Sequence, residues 1–391
     1  MTHAFVLAWR HLAYYRGRTV TIVLALALVA FLPLAIERLV AAGSSAMLAR
    51  ASATPLVVGA RGSELDLVIA SLYFARPSPR PIRADDAARL RIDGNRVVPL
   101  HLGYSARQHP LVGTSLEYFD VRGLRLATGR AFAVLGECVL GARVASALAG
   151  SGEPLVTDAI DPYDLAGTIP LKLAVAGTLA PTGTADDDAI FVDLATAWTV
   201  EGRGHGHEAA ESIADPNDVI GKVEGHVVAS ERLRHYEEIT PKNIGTFHFH
   251  GDPGSFPVHA YIVVPQDAKS ATLLQGRFQR SDESLQIVKP IDAMERLLRE
   301  ILRLKRVLDA ILAAVAVVTI AVVALVIVLS VRLRRDELMT MVRLGAARGT
   351  VAQLIAAELV ILLALAGACA AAGVASTTAL DARVESLLVR R

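Results

Sequence analysis

Two pairs of histidines have a spacing that could hold a metal ion. One pair lies in Gly204-His-Gly-His-Glu208 and the other in His248-Phe-His-Gly-Asp252. In an extended strand, residues i and i+2 place both imidazoles on one face. Neutral imidazole near a carboxylate suits zinc, although copper and nickel compete by affinity. The spacing predicts a zinc site with the ligands His205, His207, His248 and His250, and with His259 as the first additional ligand.

The same histidines also have a simpler interpretation. Residues 202–208 are rich in glycine, and a glycine-rich loop can carry incidental polar side chains. Histidine is also common on protein surfaces. Both interpretations stay open at the level of the sequence.

The sequence contains no recognisable motif for nucleotide binding or hydrolase catalysis. The chain has no Gly-x-x-x-x-Gly-Lys-Ser/Thr motif, so it cannot bind a nucleotide phosphate in the Walker manner. Ser63, in Gly59-Ala-Arg-Gly-Ser63, lacks the Gly-x-Ser-x-Gly pattern of a hydrolase nucleophile. We therefore expect no catalytic residue in this chain and predict that it is not an enzyme.

Composition places these residues in a membrane protein. The 391 residues are 53% hydrophobic and only 20% charged, and the mean hydropathy is +0.42. Forty basic and 39 acidic residues give a net charge of +1, which excludes a nucleic-acid partner. The two cysteines, Cys138 and Cys369, exclude a disulfide framework.

Three apolar segments are long enough to span a bilayer, since a helix needs about 20 apolar residues to do so. They predict transmembrane helices at 19–41, 307–331 and 350–374. Arginines cluster in residues 1–18 and 332–349, and such basic flanks stay in the cytoplasm. Residues 42–306 and the tail 375–391 are then periplasmic. A cleaved signal peptide is the alternative for Thr19–Leu39.

The periplasmic region has both strand and helix patterns. We predict strands at Val97–Leu100, Glu137–Leu140, Leu171–Val175 and Ala189–Val192, and a helix at Arg83–Arg91. Asp292 and Glu295 resemble a capping box, and the helical pattern that follows has no breaker. It predicts a stalk helix, 292–306, that continues through the bilayer to about Arg334. The predicted fold class is an α-helical membrane protein with three transmembrane helices and a large α+β extracytoplasmic domain.

Several segments resemble the MacB/FtsX/LolC-like permeases of ABC transporters. The opening Ala8-Trp-Arg-His-Leu12 with Arg16-Gly-Arg-Thr19 is similar to the start of that family, and Gly129-Arg-Ala-Phe132 with Glu137-Cys-Val-Leu-Gly-Ala-Arg-Val-Ala145 is similar to its outer domain. The strongest similarity is Arg334–Arg348, followed by Glu358. The resemblance covers nearly the whole chain.

The resemblance implies a permease subunit in the bacterial inner membrane that acts as a homodimer with a separate cytoplasmic ABC ATPase. ATP would be used by that partner, and motion would be relayed to the periplasmic domain for export, lipoprotein extraction or mechanotransmission, with a periplasmic or lipoprotein partner. The ATPase contact would be a short helix in the loop 332–349. Its residues are Asp336, Glu337, Leu338, Met341, Val342, Arg343, Leu344 and Gly345.

The chain departs from the family pattern after its third span. The family has a fourth span, whereas Ser376–Arg391 predicts only a short amphipathic surface helix. The chain is then a three-span variant or a shortened one. An FtsX-like regulator of a peptidoglycan hydrolase and a zinc-linked metal-handling component are the alternative functions.

Two features of the third span are also informative. Glu358 could couple to another helix or reach the membrane interface as an anchor. Gly367–Gly373 contains only small residues, which permit close helix packing within one protomer or across a homodimer.

Overall fold

The computed structural model describes residues 2–150, 152–158, 170–206, 219–223, 226–229, 236–278, 284–343 and 348–388. The chain divides into two compact units. We name Met1–Ala46 with Leu297–Leu388 the helical unit, and Met47–Arg296 the α+β unit.

The helices of the described residues are, in chain order, α1 (Thr2–Tyr14), α2 (Arg16–Ser52), α3 (Glu64–Tyr73), α4 (Asp86–Leu90), α5 (Glu117–Arg122), α6 (Ala142–Leu148), α7 (Leu194–Val200), α8 (Ala268–Arg277), α9 (Pro290–Leu333), α10 (Arg335–Arg343) and α11 (Arg348–Leu388). The strands are β1 (Leu56–Ala60), β2 (Ile82–Arg83), β3 (Arg96–Ala106), β4 (His109–Thr114), β5 (Leu126–Gly129), β6 (Glu137–Leu140), β7 (Leu171–Lys172), β8 (Ala174–Leu179), β9 (Ile190–Asp193), β10 (Gly204–Gly206), β11 (Val219–Val223), β12 (His226–Ala229), β13 (Glu237–Glu238), β14 (Phe247–Phe249), β15 (Pro257–Val258), β16 (Ala260–Val264) and β17 (Leu285–Val288).

Among the described residues, three helical segments are long and apolar enough to cross a membrane. They are Arg16–Ser52, Pro290–Leu333 and Gly349–Ser376. The first of these three helices, α2, continues past the predicted span 19–41 to Ser52 despite Gly43, because Ala, Met and Leu residues with good helix propensity follow that glycine. α9 contains the whole of the predicted stalk and second span in one helix.

The third long helix differs in extent from the sequence prediction. The predicted span 350–374 and the described part of the predicted tail belong to one helix, α11, which ends at Leu388. The sequence between Val374 and Leu388 has neither Gly nor Pro, so nothing local stops the helix there.

Apolar side chains hold the helical unit together. Its main core combines α1, α2, α9 and α11 through Leu12, Ile22, Val23, Ala27, Val323, Leu362 and Ala366. Close approach is visible at Gly373, where an added Cβ would lie 2.9 Å from the Phe31 ring. Gly373 therefore permits close packing of α11 against α2, whereas a Cβ added at Gly367 would meet no atom within 4 Å.

Nine of the described strands form one mixed sheet in the α+β unit. Its order is β17-β1-β16-β3-β4-β9-β6-β8-β5. The pairs β4–β9 and β6–β8 are parallel, and the other neighbours are antiparallel. β6 has the predicted bounds, β9 is shifted by one residue, and the predicted strand Val97–Leu100 lies within β3. The predicted strand Leu171–Val175 is instead divided between β7 and the start of β8. Together with the three long apolar helices, this mixed sheet confirms the predicted fold class.

Two apolar cores stabilise the α+β unit. One contains Leu56, Val97, Tyr261, Val263 and Leu274 among its buried residues. The other contains Leu111, Cys138, Leu140, Ile190 and Val192. Apart from this sheet, β10 and β14 form a two-stranded antiparallel ribbon.

Candidate functional site

The predicted ATPase-contact segment forms a short helix. Residues Asp336 to Arg343 belong to α10, which lies between the two long helices α9 and α11. Asp336 and Arg343 are exposed, and Val342 is half-buried. Leu344 and Gly345, which complete the predicted segment, lie outside the described residues.

A polar cluster adjoins the start of α10. Glu358 Oε1 of α11 accepts a hydrogen bond from Arg334 Nη1 at 3.2 Å and lies 2.9 Å from His11 Nδ1 of α1. Arg334 is the residue between α9 and α10. All three side chains are less than 20% exposed. A carboxylate in an apolar span is costly unless it is paired, so these partners account for Glu358.

A second polar contact lies near this cluster. Arg18 Nη1 of α2 donates to Ser330 Oγ of α9 at 2.6 Å. Together, this hydrogen bond and the cluster connect the C-terminal end of α9 to α1, α2 and α11. Glu358 therefore contacts α1 and the residue between α9 and α10, while its two predicted roles, coupling and anchoring at the membrane interface, stay predictions.

The α+β unit has a buried ion pair that the sequence analysis did not identify. Arg50, near the end of α2, donates to both carboxylate oxygens of Asp186 at 2.7 and 3.0 Å. Its Nε donates to Leu72 O at 2.5 Å, and Tyr118 Oη donates to Asp186 Oδ1 at 2.6 Å. Burial opposes ionisation of Asp186, but the Arg50 charge and these hydrogen bonds outweigh it and lower the pKa of Asp186.

Three of the five predicted metal-ligating histidines lie together in the α+β unit. Ring nitrogens of His205, His248 and His250 are all within 4.8 Å of one another. His207 lies outside the described residues.

The fifth predicted ligand, His259, belongs to a different group. Its Nδ1 accepts a hydrogen bond from Leu102 N at 3.1 Å, and its ring lies 4.9 Å from that of His101. His101 Nε2 is in turn 2.9 Å from Glu201 Oε2. Burial, with the neighbouring His101, lowers the pKa of His259 to about 4. His259 is half-buried and already accepts a hydrogen bond at Nδ1, and spacing alone could not reveal that.

Sequence comparison identifies the family of the chain. Residues 19–228 match the family model described as the MacB-like periplasmic core domain. No curated protein matches the chain.

Two solved structures illustrate the similarity. The periplasmic region of MacB from Actinobacillus actinomycetemcomitans is 13% identical, with 65% of this chain and 97% of that chain covered and a TM-score of 0.36. The extracellular domain of the noncanonic ABC-type transporter YknZ from Gram-positive bacteria is 15% identical, with 60% and 98% covered and a TM-score of 0.30. Because the family model matches more than half of the sequence, the chain belongs to the family with a MacB-like periplasmic core domain and is a permease of the MacB/FtsX-like ABC transporter family.

Proposed function

We propose that this permease relays the ATP-driven motion of a separate cytoplasmic ATPase to its α+β unit in the periplasm. The protein would lie in the bacterial inner membrane as a homodimer that binds two ATPase subunits. Export, lipoprotein extraction and mechanical signalling to a periplasmic partner all use such a relay.

The position of α10 is the observation that carries this proposal. α10 is a short helix between two apolar helices, and the residue before it, Arg334, is bound to Glu358 and lies next to His11. A force applied to α10 would therefore reach α1, α9 and α11 through polar contacts that are strong in an apolar environment.

The continuity of α9 supports the second half of the relay. This helix begins at Pro290 and continues without a break to Leu333, directly before α10. Its first turns belong to the α+β unit, where Arg296 forms an ion pair with Glu64 of α3. A continuous helix transmits displacement along its axis better than a flexible linker does.

Substitutions in α10 test the ATPase contact. We expect Leu338→Asp and Met341→Asp to reduce recovery of the ATPase when the permease is purified from native membranes in mild detergent. Burying an unpaired carboxylate in an apolar interface costs several kcal/mol. The ATPase would be identified and quantified by mass spectrometry.

The matched control is Thr340→Asp, which adds the same charge at an exposed position of α10. We expect this variant to keep the ATPase and all three variants to insert into the membrane at the wild-type level. Undiminished recovery with both Leu338→Asp and Met341→Asp would place the docking site elsewhere.

A further inference from the structure

The β10–β14 ribbon brings three histidines to one face. His205 of β10 lies directly opposite His248 of β14, and their ring centroids are 4.9 Å apart. His250 follows two residues after His248, with ring centroids 4.7 Å from His248 and 4.9 Å from His205. Each of the three rings therefore contacts the other two.

The other face of the ribbon explains this arrangement. A Cβ added at Gly204 or at Gly206 would lie 2.6 Å from the ring of Phe249 or of Phe247, respectively. Only glycine leaves room for these rings, which therefore cover β10 on the face opposite to the histidines. Phe249 also contacts the buried Phe256 at 6.1 Å between ring centroids. The phenylalanine face thus packs on the α+β unit, while His205 and His250 are exposed and His248 is half-buried.

The ring nitrogens have a separation that suits a metal ion. His248 Nε2 and His250 Nε2 are 3.1 Å apart. Two nitrogens bound to a tetrahedral zinc ion at about 2.0–2.1 Å lie about 3.3 Å from each other. The two rings therefore need only a small movement to bind one ion.

A backbone carbonyl favours the required tautomer of His248. His248 Nδ1 lies 3.1 Å from Thr246 O, which can accept a hydrogen bond from Nδ1–H. With the proton on Nδ1, the Nε2 lone pair points towards His250. Metal-binding histidines commonly have such a carbonyl or carboxylate partner on their other nitrogen.

We propose that His205, His248 and His250 form a binding site for a divalent transition-metal ion, with zinc as the ion of best fit and water as the fourth ligand. Three imidazoles with an open fourth position are a known coordination set for zinc. The ion would cross-link two strands that residues 207–246 separate along the chain, and a cross-link that closes a long segment stabilises the fold. This proposal is independent of the relay and of the ATPase.

Calorimetric titration of the full-length protein with zinc chloride tests the site directly. The protein would be purified in detergent without a polyhistidine tag, at about pH 7.5, where most imidazoles are neutral. We expect one zinc ion per chain at micromolar affinity or better. His248→Gln and His205→Ala should each weaken binding by roughly tenfold or more.

Two further variants separate ligand loss from misfolding. His248→Cys should keep zinc binding because a thiolate is also a zinc ligand. His109→Ala removes a histidine of β4 in the same unit and should leave binding unchanged.

The visible absorption of bound cobalt(II) reports the coordination geometry of the site. We expect the spectrum of a four-coordinate site in the wild type and its absence in His248→Gln. Absence of zinc uptake at micromolar concentration, or uptake that neither His205→Ala nor His248→Gln changes, would overturn the proposal.

Discussion

Asp186 is the residue whose charge we expect to matter most for the stability of the α+β unit. Asp186→Asn leaves the buried Arg50 without its counter-charge, which should cost about 3–5 kcal/mol in the free energy of unfolding. Asp188→Asn is the control, since its partner Arg143 is one-third exposed and a more exposed pair contributes less. Urea unfolding of the full chain in detergent, followed by Trp198 fluorescence in a Trp9→Phe background, gives the comparison. Equal losses for the two variants would contradict this role of Asp186.

His259 should make stability depend on pH. Its pKa is lowered to about 4, below the usual value near 6.5, because the buried ring resists protonation. The unfolded chain therefore binds more protons than the folded chain between these values. This part of the stability is present above about pH 6.5 and is lost as the pH falls towards 4.

The measurement is the unfolding midpoint of the wild type and of His259→Asn between about pH 7 and 4. Asparagine does not titrate, and its Oδ1 lies where Nδ1 accepts the hydrogen bond from Leu102 N. We expect a flatter pH profile for the variant than for the wild type. Parallel profiles would mean that His259 is protonated as easily in the folded protein as in the unfolded chain.

At the scale of the helices, the cluster of His11, Arg334 and Glu358 should act as one unit. A double-mutant cycle with His11→Ala and Glu358→Ala should give a coupling energy of about 0.5–3 kcal/mol, because the two side chains share a contact at 2.9 Å. Trp9, on α1 beside the buried Ala8, reports detergent-induced unfolding through its fluorescence.

The control for this cycle pairs His11→Ala with Thr319→Ala. Thr319 is a polar residue of α9 whose side chain donates a hydrogen bond within its own helix, to Val315 O. These two changes should add without coupling. Additive effects of His11→Ala and Glu358→Ala would show that α1 and α11 are not joined by this cluster.

Elements whose residues carry a pattern within the element itself can be predicted from the sequence. The apolar segments of α2, α9 and α11 need only composition and length to be recognised, and β6 is a short apolar run that ends at Leu140, directly before Gly141. The strand order of the sheet could not be predicted from the sequence, because β1 pairs with β16 and β17, which lie near the other end of the α+β unit in sequence. Such pairings depend on which apolar faces fit together, and local patterns do not encode that.

The candidate sites divide in the same way. The i, i+2 spacing pointed to His248 and His250, whereas the position of His205 opposite His248 depends on strand register. Arg50 and Asp186 are 136 residues apart, and nothing near either one indicates the other. The sequence predicts His259 as the first additional ligand, but its hydrogen bond from Leu102 N and its ring contact with His101 place it beside β3 instead.

For the whole molecule, both long helices that lead to the α+β unit end in polar contacts. α2 carries Arg50 into the buried pair with Asp186, and α9 carries Arg296 to Glu64. Removing the buried Arg50–Asp186 pair should loosen the end of α2, whereas the half-exposed Arg296–Glu64 pair should contribute less. The proposed relay requires the α+β unit and α10 to lie on opposite sides of the membrane.

Cysteine labelling can determine on which side of the membrane the α+β unit and α10 lie. Cysteines introduced at Gly17, Gly245 and Gly349 replace exposed glycines whose added Cβ would meet no atom within 4 Å. In a Cys369→Ser background, the remaining Cys138 is buried, and burial raises the pKa of its thiol to about 12, so it should not react. We expect a membrane-impermeant maleimide to label only Gly245→Cys in intact spheroplasts, because arginine-rich flanks hold the other two positions in the cytoplasm. All three should be labelled after lysis. Labelling of Gly349→Cys before lysis would place α10 outside and exclude it as the contact for a cytoplasmic ATPase.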